Sequence, residues 1–228
     1  MALIKEAVSE EMWNLLQRLM ADESLKDFLL VGGTALSLRL GHRLSIDIDL
    51  FTKNNFDADV MHKYLQTEYG AKDSVVFENT VMTYIQNIKV DLLAHKYPLV
   101  QPMETDDNIR LISNQDIGAM KLHAIFQSGE RLKDFIDMYF LLEKNSLSTY
   151  LKSYETKYKC NPSLAAHSLI YFDGIRKEYE ISMTKGKENN WTKMQERLTK
   201  AVKFPNLKFA DSLQQVGIYN KKGKGFRR

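Results

Sequence analysis

The chain has 228 residues, 44% apolar and 27% charged, and 32 Lys and Arg against 29 Asp and Glu leave a formal charge of +3. That length supports a sizeable core, and a single cysteine, Cys160, excludes an internal disulfide and a cysteine-based metal site. No apolar run approaches the roughly 20 residues needed to span a bilayer, and Met1-Ala2-Leu3-Ile4-Lys5-Glu6 lacks the pattern of a signal peptide, so a reducing cytoplasm is the expected location.

Residues Val8 to Met20 carry Met12, Trp13, Leu15, Leu16 and Leu19 at near-helical spacing, which predicts an amphipathic helix. Phe28-Leu29-Leu30-Val31 reads as a short buried strand cut off by Gly32-Gly33. Thr34 to Leu40 is helical again and stops at Gly41. Ser45-Ile46-Asp47-Ile48-Asp49-Leu50-Phe51 alternates polar and apolar residues with the period of a strand. Asp57 to Tyr69 predicts a helix closed by Gly70. Val81 to Ile85 and Ile88 to Leu93 flank Gln86-Asn87 as a hairpin whose turn lacks glycine. Pro98 and Pro102 mark a loop, and Ile109 to Ile112 is one more short strand.

From Ser113 onward the pattern is helical. Ser113-Asn114-Gln115-Asp116 is a capping signal for a helix through about Phe126. Arg131 to Lys144, Leu147 to Lys159, Pro162 to Glu180 and Trp191 to Val202 supply four more, with a polar loop from Thr184 to Asn190. Tyr150, Tyr154 and Tyr158 recur on one helix face and are read as packing rather than base stacking. The expected fold class is α/β (α+β), with a mixed sheet in residues 1–108 and a mainly helical part in 109–228. The chain ends Lys221-Lys222-Gly223-Lys224-Gly225-Phe226-Arg227-Arg228, either a solvated tail or a basic arm for nucleic-acid phosphates.

The strongest chemical signal is Asp47-Ile48-Asp49. On a strand these acids face the same way, about 6.5–7 Å apart at Cα. Ser45 joins them, while Ile46, Ile48 and Leu50 are expected on the apolar face. Two adjacent carboxylates repel, and a divalent cation resolves the conflict; paired metals roughly 3.5–4 Å apart serve in-line phosphoryl displacement. The plain alternative is a strand whose acids meet water. Context favours the metal: Val31-Gly32-Gly33-Thr34 opens a helix whose N-terminus can receive phosphate. Asp91 interrupts the apolar strand Ile88-Lys89-Val90-Asp91-Leu92-Leu93 and can join from a neighbour about 4.8 Å away.

Gly32-Gly33-Thr34-Ala35-Leu36 together with Arg43-Leu44-Ser45-Ile46-Asp47-Ile48-Asp49-Leu50-Phe51 resembles the AbiEii-type nucleotidyltransferase toxins, within the polymerase-β-like nucleotidyltransferase superfamily. The resemblance covers roughly residues 28 to 144. It implies transfer of a nucleoside monophosphate from NTP to a hydroxyl of an acceptor, tRNA or another RNA, in a bacterial toxin with a cognate antitoxin. Mg2+ or Mn2+ would be held by Asp47, Asp49 and Asp91, and Asp91 would accept the hydroxyl's proton. Gly32, Gly33, Thr34, Arg43, Ser45 and Lys121 would hold the nucleotide. The resemblance also implies a functional lysine and acid in the helical half, matching Lys121 and Asp137, with Asp134 as the alternative acid. On the residues alone, Lys121 either snorkels to water or reaches a triphosphate, and Asp137 is equally open to a structural ion pair. His42 and His123, near these motifs, are read as ordinary hydrogen-bonded or exposed residues. Two rivals remain: a two-metal nuclease, and a retired nucleotidyltransferase fold kept for binding.

Overall fold

A computed structural model describes residues 2–176 and 181–210. Helix α1 (Glu10–Ala21) follows a 3-10 turn at Lys5–Ala7; Ser9 caps it by accepting the Met12 N–H, and its apolar stripe is buried. Strand β1 (Leu29–Leu30) runs straight into α2 (Gly32–Leu40), so the two glycines begin the helix rather than precede it. Gly41 ends α2 in the left-handed conformation. Next come β2 (Asp47–Thr52), α3 (Ala58–Tyr69) with its cap Asp57 and stop Gly70, and β3 (Lys72–Phe77). The hairpin of β4 (Thr80–Ile85) and β5 (Ile88–Ala94) turns through Gln86 at φ 53° and Asn87 at φ 64°. Two left-handed residues match a hairpin turn to the twist of its strands, and asparagine tolerates that region without glycine.

Strands β6 (Glu104–Asp106) and β7 (Ile109–Leu111) complete a seven-stranded sheet in the order β3-β4-β5-β2-β1-β7-β6. It is mixed: β2 is parallel to β5, β1 is parallel to β7, and the other neighbours are antiparallel. The break expected at 108 falls inside the β6–β7 hairpin, and β7 pairs with β1 near the start of the chain. Ile46 differs from expectation. The strand starts only at Asp47, so Ile46 stays 77% exposed while Ile48 and Leu50 are buried.

Helices α4 (Asn114–Gln127), α5 (Leu132–Leu141), α6 (Leu147–Tyr158), α7 (Pro162–Ser168) and α8 (Trp191–Lys203) form the second layer. The helix expected from Pro162 to Glu180 ends at Ser168, and residues 177–180 lie outside the described residues. Ser113 caps α4 by accepting the Asp116 N–H at 3.0 Å. Mid-helix Gly118 lets α6 approach, because a Cβ there would come within 2.2 Å of the Tyr150 ring. Tyr150 and Tyr154 are wholly buried, as their packing role requires. One core joins α1, the sheet and the helical layer, from Met12 through Leu50 and Val90 to Leu122 and Tyr154.

Candidate active site

Parallel pairing of β2 and β5 sets Asp49 directly beside Asp91 and Asp47 beside Lys89. All three aspartates are half-buried on one sheet face. The Val31 N–H donates to the Asp49 carbonyl at 3.0 Å, so β1 delivers the start of α2 onto the Asp49 strand. Gly32 sits at φ +68°, and a Cβ there would meet Asp49 Oδ2 at 2.4 Å. A Cβ on Gly33 would meet Arg43 Nη2 at 2.3 Å. Only glycine therefore allows both the carboxylate and the guanidinium against the helix end, where unpaired N–H groups favour anions. Thr34 Oγ1 lies 2.8 Å from Ser45 Oγ and also donates to the Asp47 carbonyl, fixing the entry to β2 against the third residue of α2.

The acids are imperfectly satisfied. Burial pushes the Asp49 carboxyl up from its ordinary range, and the neighbouring Asp91 charge adds to the rise, partly offset by Lys121. Asp91 Oδ2 accepts from Lys89, while Asp91 Oδ1 is buried with no hydrogen-bond partner. Asp47 Oδ2 has Lys133 Nζ at 3.8 Å. Among the described residues, no three His, Cys, Asp or Glu side chains are gathered into a ready-made metal cage. The donor set nevertheless suits a hard divalent cation: it offers carboxylate oxygens only, one of them orphaned and one destabilised by its neighbour.

Behind these acids lies a closed ion network. Asp137, fully buried, accepts from Arg43 Nε at 2.7 Å and Arg43 Nη2 at 3.0 Å, and lies 2.8 Å from His42 Nε2 and 2.6 Å from Lys121 Nζ. Lys121 Nζ also donates to Asp134 Oδ1 at 2.7 Å, and Arg131 Nε donates to Asp134 Oδ2 at 2.8 Å. Burial alone would raise the Asp137 carboxyl, but Arg43 and Lys121, with hydrogen bonds from His42 and Arg43, hold it well below the usual range. Burial depresses His42 despite the facing carboxylate. For Lys121 burial is outweighed by Asp134 and Asp137, and its ammonium stays charged.

The structure thus brings Gly32, Gly33, Thr34, Ser45, Asp47, Asp49 and Asp91 together around the helix start. It places Arg43, Lys121 and Asp137 just behind them, engaged with each other. The expected choice between Asp134 and Asp137 dissolves, because Lys121 bridges both. An extended reach of Lys121 toward a triphosphate, or to water, is not the conformation here: its ammonium is enclosed by the two carboxylates. Sequence reasoning missed Lys89 and took Lys133 only as a possible ion-pair partner of Asp137, whereas both are half-exposed lysines beside the strand acids. Lys89 had a readable signal, since it precedes Asp91 by two on one strand face. His42, read as an ordinary hydrogen-bonded or exposed residue, is hydrogen-bonded, to a partner 95 residues away that the sequence does not indicate. A cleft of about 520 Å³ lined by Arg39, Gln101, Glu104 and Asn114 shares no residue with this site.

The fold defines a class first. The chain is similar over 96% of its length, at 16% identity and a TM-score of 0.53, to the whole of a solved structure described as "putative nucleotidyltransferase from H. pylori". It is similar over 88% of its length, at 16% identity and a TM-score of 0.52, to 95% of an antigenic nucleotidyltransferase-like protein from Paracoccidioides brasiliensis. This is a nucleotidyltransferase fold.

The chain belongs to the nucleotidyl transferase AbiEii toxin family of type IV toxin–antitoxin systems, whose pattern matches residues 14–208. It is also 30% identical over 209 residues to the uncharacterized protein aq_aa25 of Aquifex aeolicus (strain VF5), covering 86% of this chain and 96% of that protein.

Proposed function

We propose that the protein moves a nucleoside monophosphate from an NTP to a hydroxyl of an RNA acceptor, tRNA being the first candidate. The observation that carries this reading is Asp49 beside Asp91 in register, with Asp49 packed against Gly32 where α2 begins. Asp47, Asp49 and Asp91 would hold Mg2+ or Mn2+. When bound, that cation supplies charge neutralisation for the phosphates and lowers the cost of charge developing on the attacking and leaving oxygens.

The chain's own groups do the rest. The amides of Gly32, Gly33 and Thr34 face the triphosphate at the helix end. The acceptor oxygen bonds to the α-phosphorus while the α–β bridging bond breaks and pyrophosphate leaves. Asp91, whose Oδ1 has no other partner, accepts the hydroxyl proton. Arg43 and Lys121, held by Asp137, act as positioning residues whose charge offsets the acids and phosphates from behind. Lys89 and Lys133 stand at the rim, on exposed stems able to follow phosphate charge.

Family membership supports a toxin role with a cognate antitoxin. Among the described residues no helix is long and apolar enough to cross a membrane, and the cytoplasm is the proposed location. Exposed Lys200, Lys203 and Lys208 support a polyanionic acceptor. The basic arm expected at 221–228 lies outside the described residues.

The test is incubation with each α-labelled NTP, Mg2+ and total RNA, followed by gel analysis. Label gained by full-length RNA supports transfer. RNA shortened without NTP supports the nuclease alternative, and failure to bind Mg2+–NTP at millimolar concentration supports a retired fold.

A further inference from the structure

Beyond the acids, the same sheet face carries a run of rings. Phe51 follows Asp49 by two residues on β2 and so shares its face. The Phe51 ring lies 5.4 Å from His95, and His95 lies 4.9 Å from Tyr97. Tyr97 lies 4.7 Å from Tyr158, and Tyr158 stacks on His123 at 3.9 Å and 12°. Four separate segments therefore converge: strand β2, the chain after β5, helix α4 and helix α6. A shallow depression lined by Val31, Phe51, Lys53, His95, Tyr97 and Met120 gathers these rings beside the residues that precede Gly32 and Lys121 in the chain.

Core packing explains Tyr154 and Tyr158 but not the outer members. Tyr97 leaves 42% of its surface in solvent, outside any strand or helix; the exposed Lys53 lines the same depression, and the exposed Lys96 precedes Tyr97 in the chain. His123 Nδ1 is buried and has no hydrogen-bond partner, a polar atom at the inner end of a ring cluster with nothing yet to bond. Burial holds His95 at a pKa of about 4 and depresses His123 as well, so both rings are neutral near pH 7, each offering one donor and one acceptor. An exposed aromatic ring packed on other aromatics, sharing a depression with Lys53 and with Val31, the residue before the helix end at Gly32, has the chemistry of a base-stacking platform.

We propose that Tyr97, seated on His95 and Tyr158, is a nucleobase-stacking site that extends the active site along the sheet face. This rests on the nucleotidyltransferase reading above. The shared chemistry is an unpaired base, which comes either from the NTP or from the single-stranded end of the acceptor.

The test measures binding rather than activity, using the full chain. Wild type, Tyr97→Leu and Tyr97→Trp are titrated with each NTP plus Mg2+, with a fluorescein-labelled single-stranded oligoribonucleotide, and with inorganic triphosphate, which has no base. Thermal melting first confirms that the variants fold, as the exposure of Tyr97 leads us to expect. Tyr97→Leu should weaken a base-bearing probe by roughly tenfold, the scale of one lost stacking contact, and leave inorganic triphosphate unchanged. Tyr97→Trp should restore the affinity, with its fluorescence quenched by the bound base. Weakening confined to the NTPs assigns the site to the nucleotide, and weakening confined to the oligoribonucleotide assigns it to the acceptor. Unchanged affinity for both base-bearing probes in Tyr97→Leu overturns the stacking site and leaves the catalytic reading standing. A wild-type protein that binds neither NTP, oligoribonucleotide nor triphosphate overturns both.

Discussion

Two groups of charges lie within one chain, a few residues apart, and they are built in opposite ways. The network of His42, Arg43, Lys121, Asp134 and Asp137 is buried, and each carboxylate in it meets at least two cationic or hydrogen-bonding partners. The strand acids Asp47, Asp49 and Asp91 are half-buried, repel one another and leave Asp91 Oδ1 unpaired. A finished network serves the scaffold, because its charges have nothing left to bind. An unfinished one serves a ligand, because its stability is incomplete until something positive arrives.

Breaking the finished network should have the largest effect on stability. Asp137→Asn leaves Arg43, Lys121 and His42 without their common anion, and loss of one partner from a buried pair costs about 3–5 kcal/mol. Thermal melting should show a fall of about 6–20 °C, at roughly 2–4 °C per kcal/mol for a chain of this size. Transfer activity should fall with it. Lys121→Met comes next, at about 1–3 kcal/mol, since Asp137 keeps Arg43 and Asp134 keeps Arg131. A melting temperature equal to wild type would show that the network is not what holds these helices.

The pH dependence should separate the two groups by sign. Asp137 is held well below its ordinary value, so its contribution is complete above about pH 3.8 and is lost as pH falls from there through its folded value. Asp49 is raised, so its charged form destabilises the fold at neutral pH and that cost disappears as pH falls through its folded value. Urea midpoints across pH should therefore show Asp49→Asn gaining on wild type at neutral pH, with the gain shrinking on acidification.

Gly32→Ala joins the two regions' logic to the backbone. The left-handed φ of +68° costs an alanine about 1–2 kcal/mol, and its Cβ would displace the Asp49 carboxylate. Activity should drop far more than stability; equal losses of both would mean that Gly32 serves only the turn.

Much of this was legible. The cap at Ser113 and the stops at Gly41 and Gly70 follow from local hydrogen bonding, and each works as read; Ser9 and Asp57 cap their helices too, by the same local bond. The facing of Asp47 and Asp49 follows from strand period, and the Gln86-Asn87 turn forms without glycine. Strands β3 and β6 were not legible, because both lie at sheet edges with mostly exposed side chains and so lack apolar alternation. The parallel pairing of β1 with β7 joins residues some 80 apart in sequence, which no local pattern encodes. The same holds for the ion network. Arg43 sits 94 residues from Asp137, and neither residue's neighbours announce the partner.

The smallest expected stability change belongs to Asp49→Asn, and it carries the most direct test. Mg2+ binding in the presence of a non-hydrolysable NTP analogue can be followed by calorimetry on wild type and Asp49→Asn, with melting temperatures measured on the same samples. The account predicts heat of binding for wild type, none for Asp49→Asn, and a metal-free variant at least as stable as wild type. A variant that binds Mg2+ with wild-type affinity, or that unfolds like Asp137→Asn, would contradict the assignment of the strand acids to the cation and of the buried network to the scaffold.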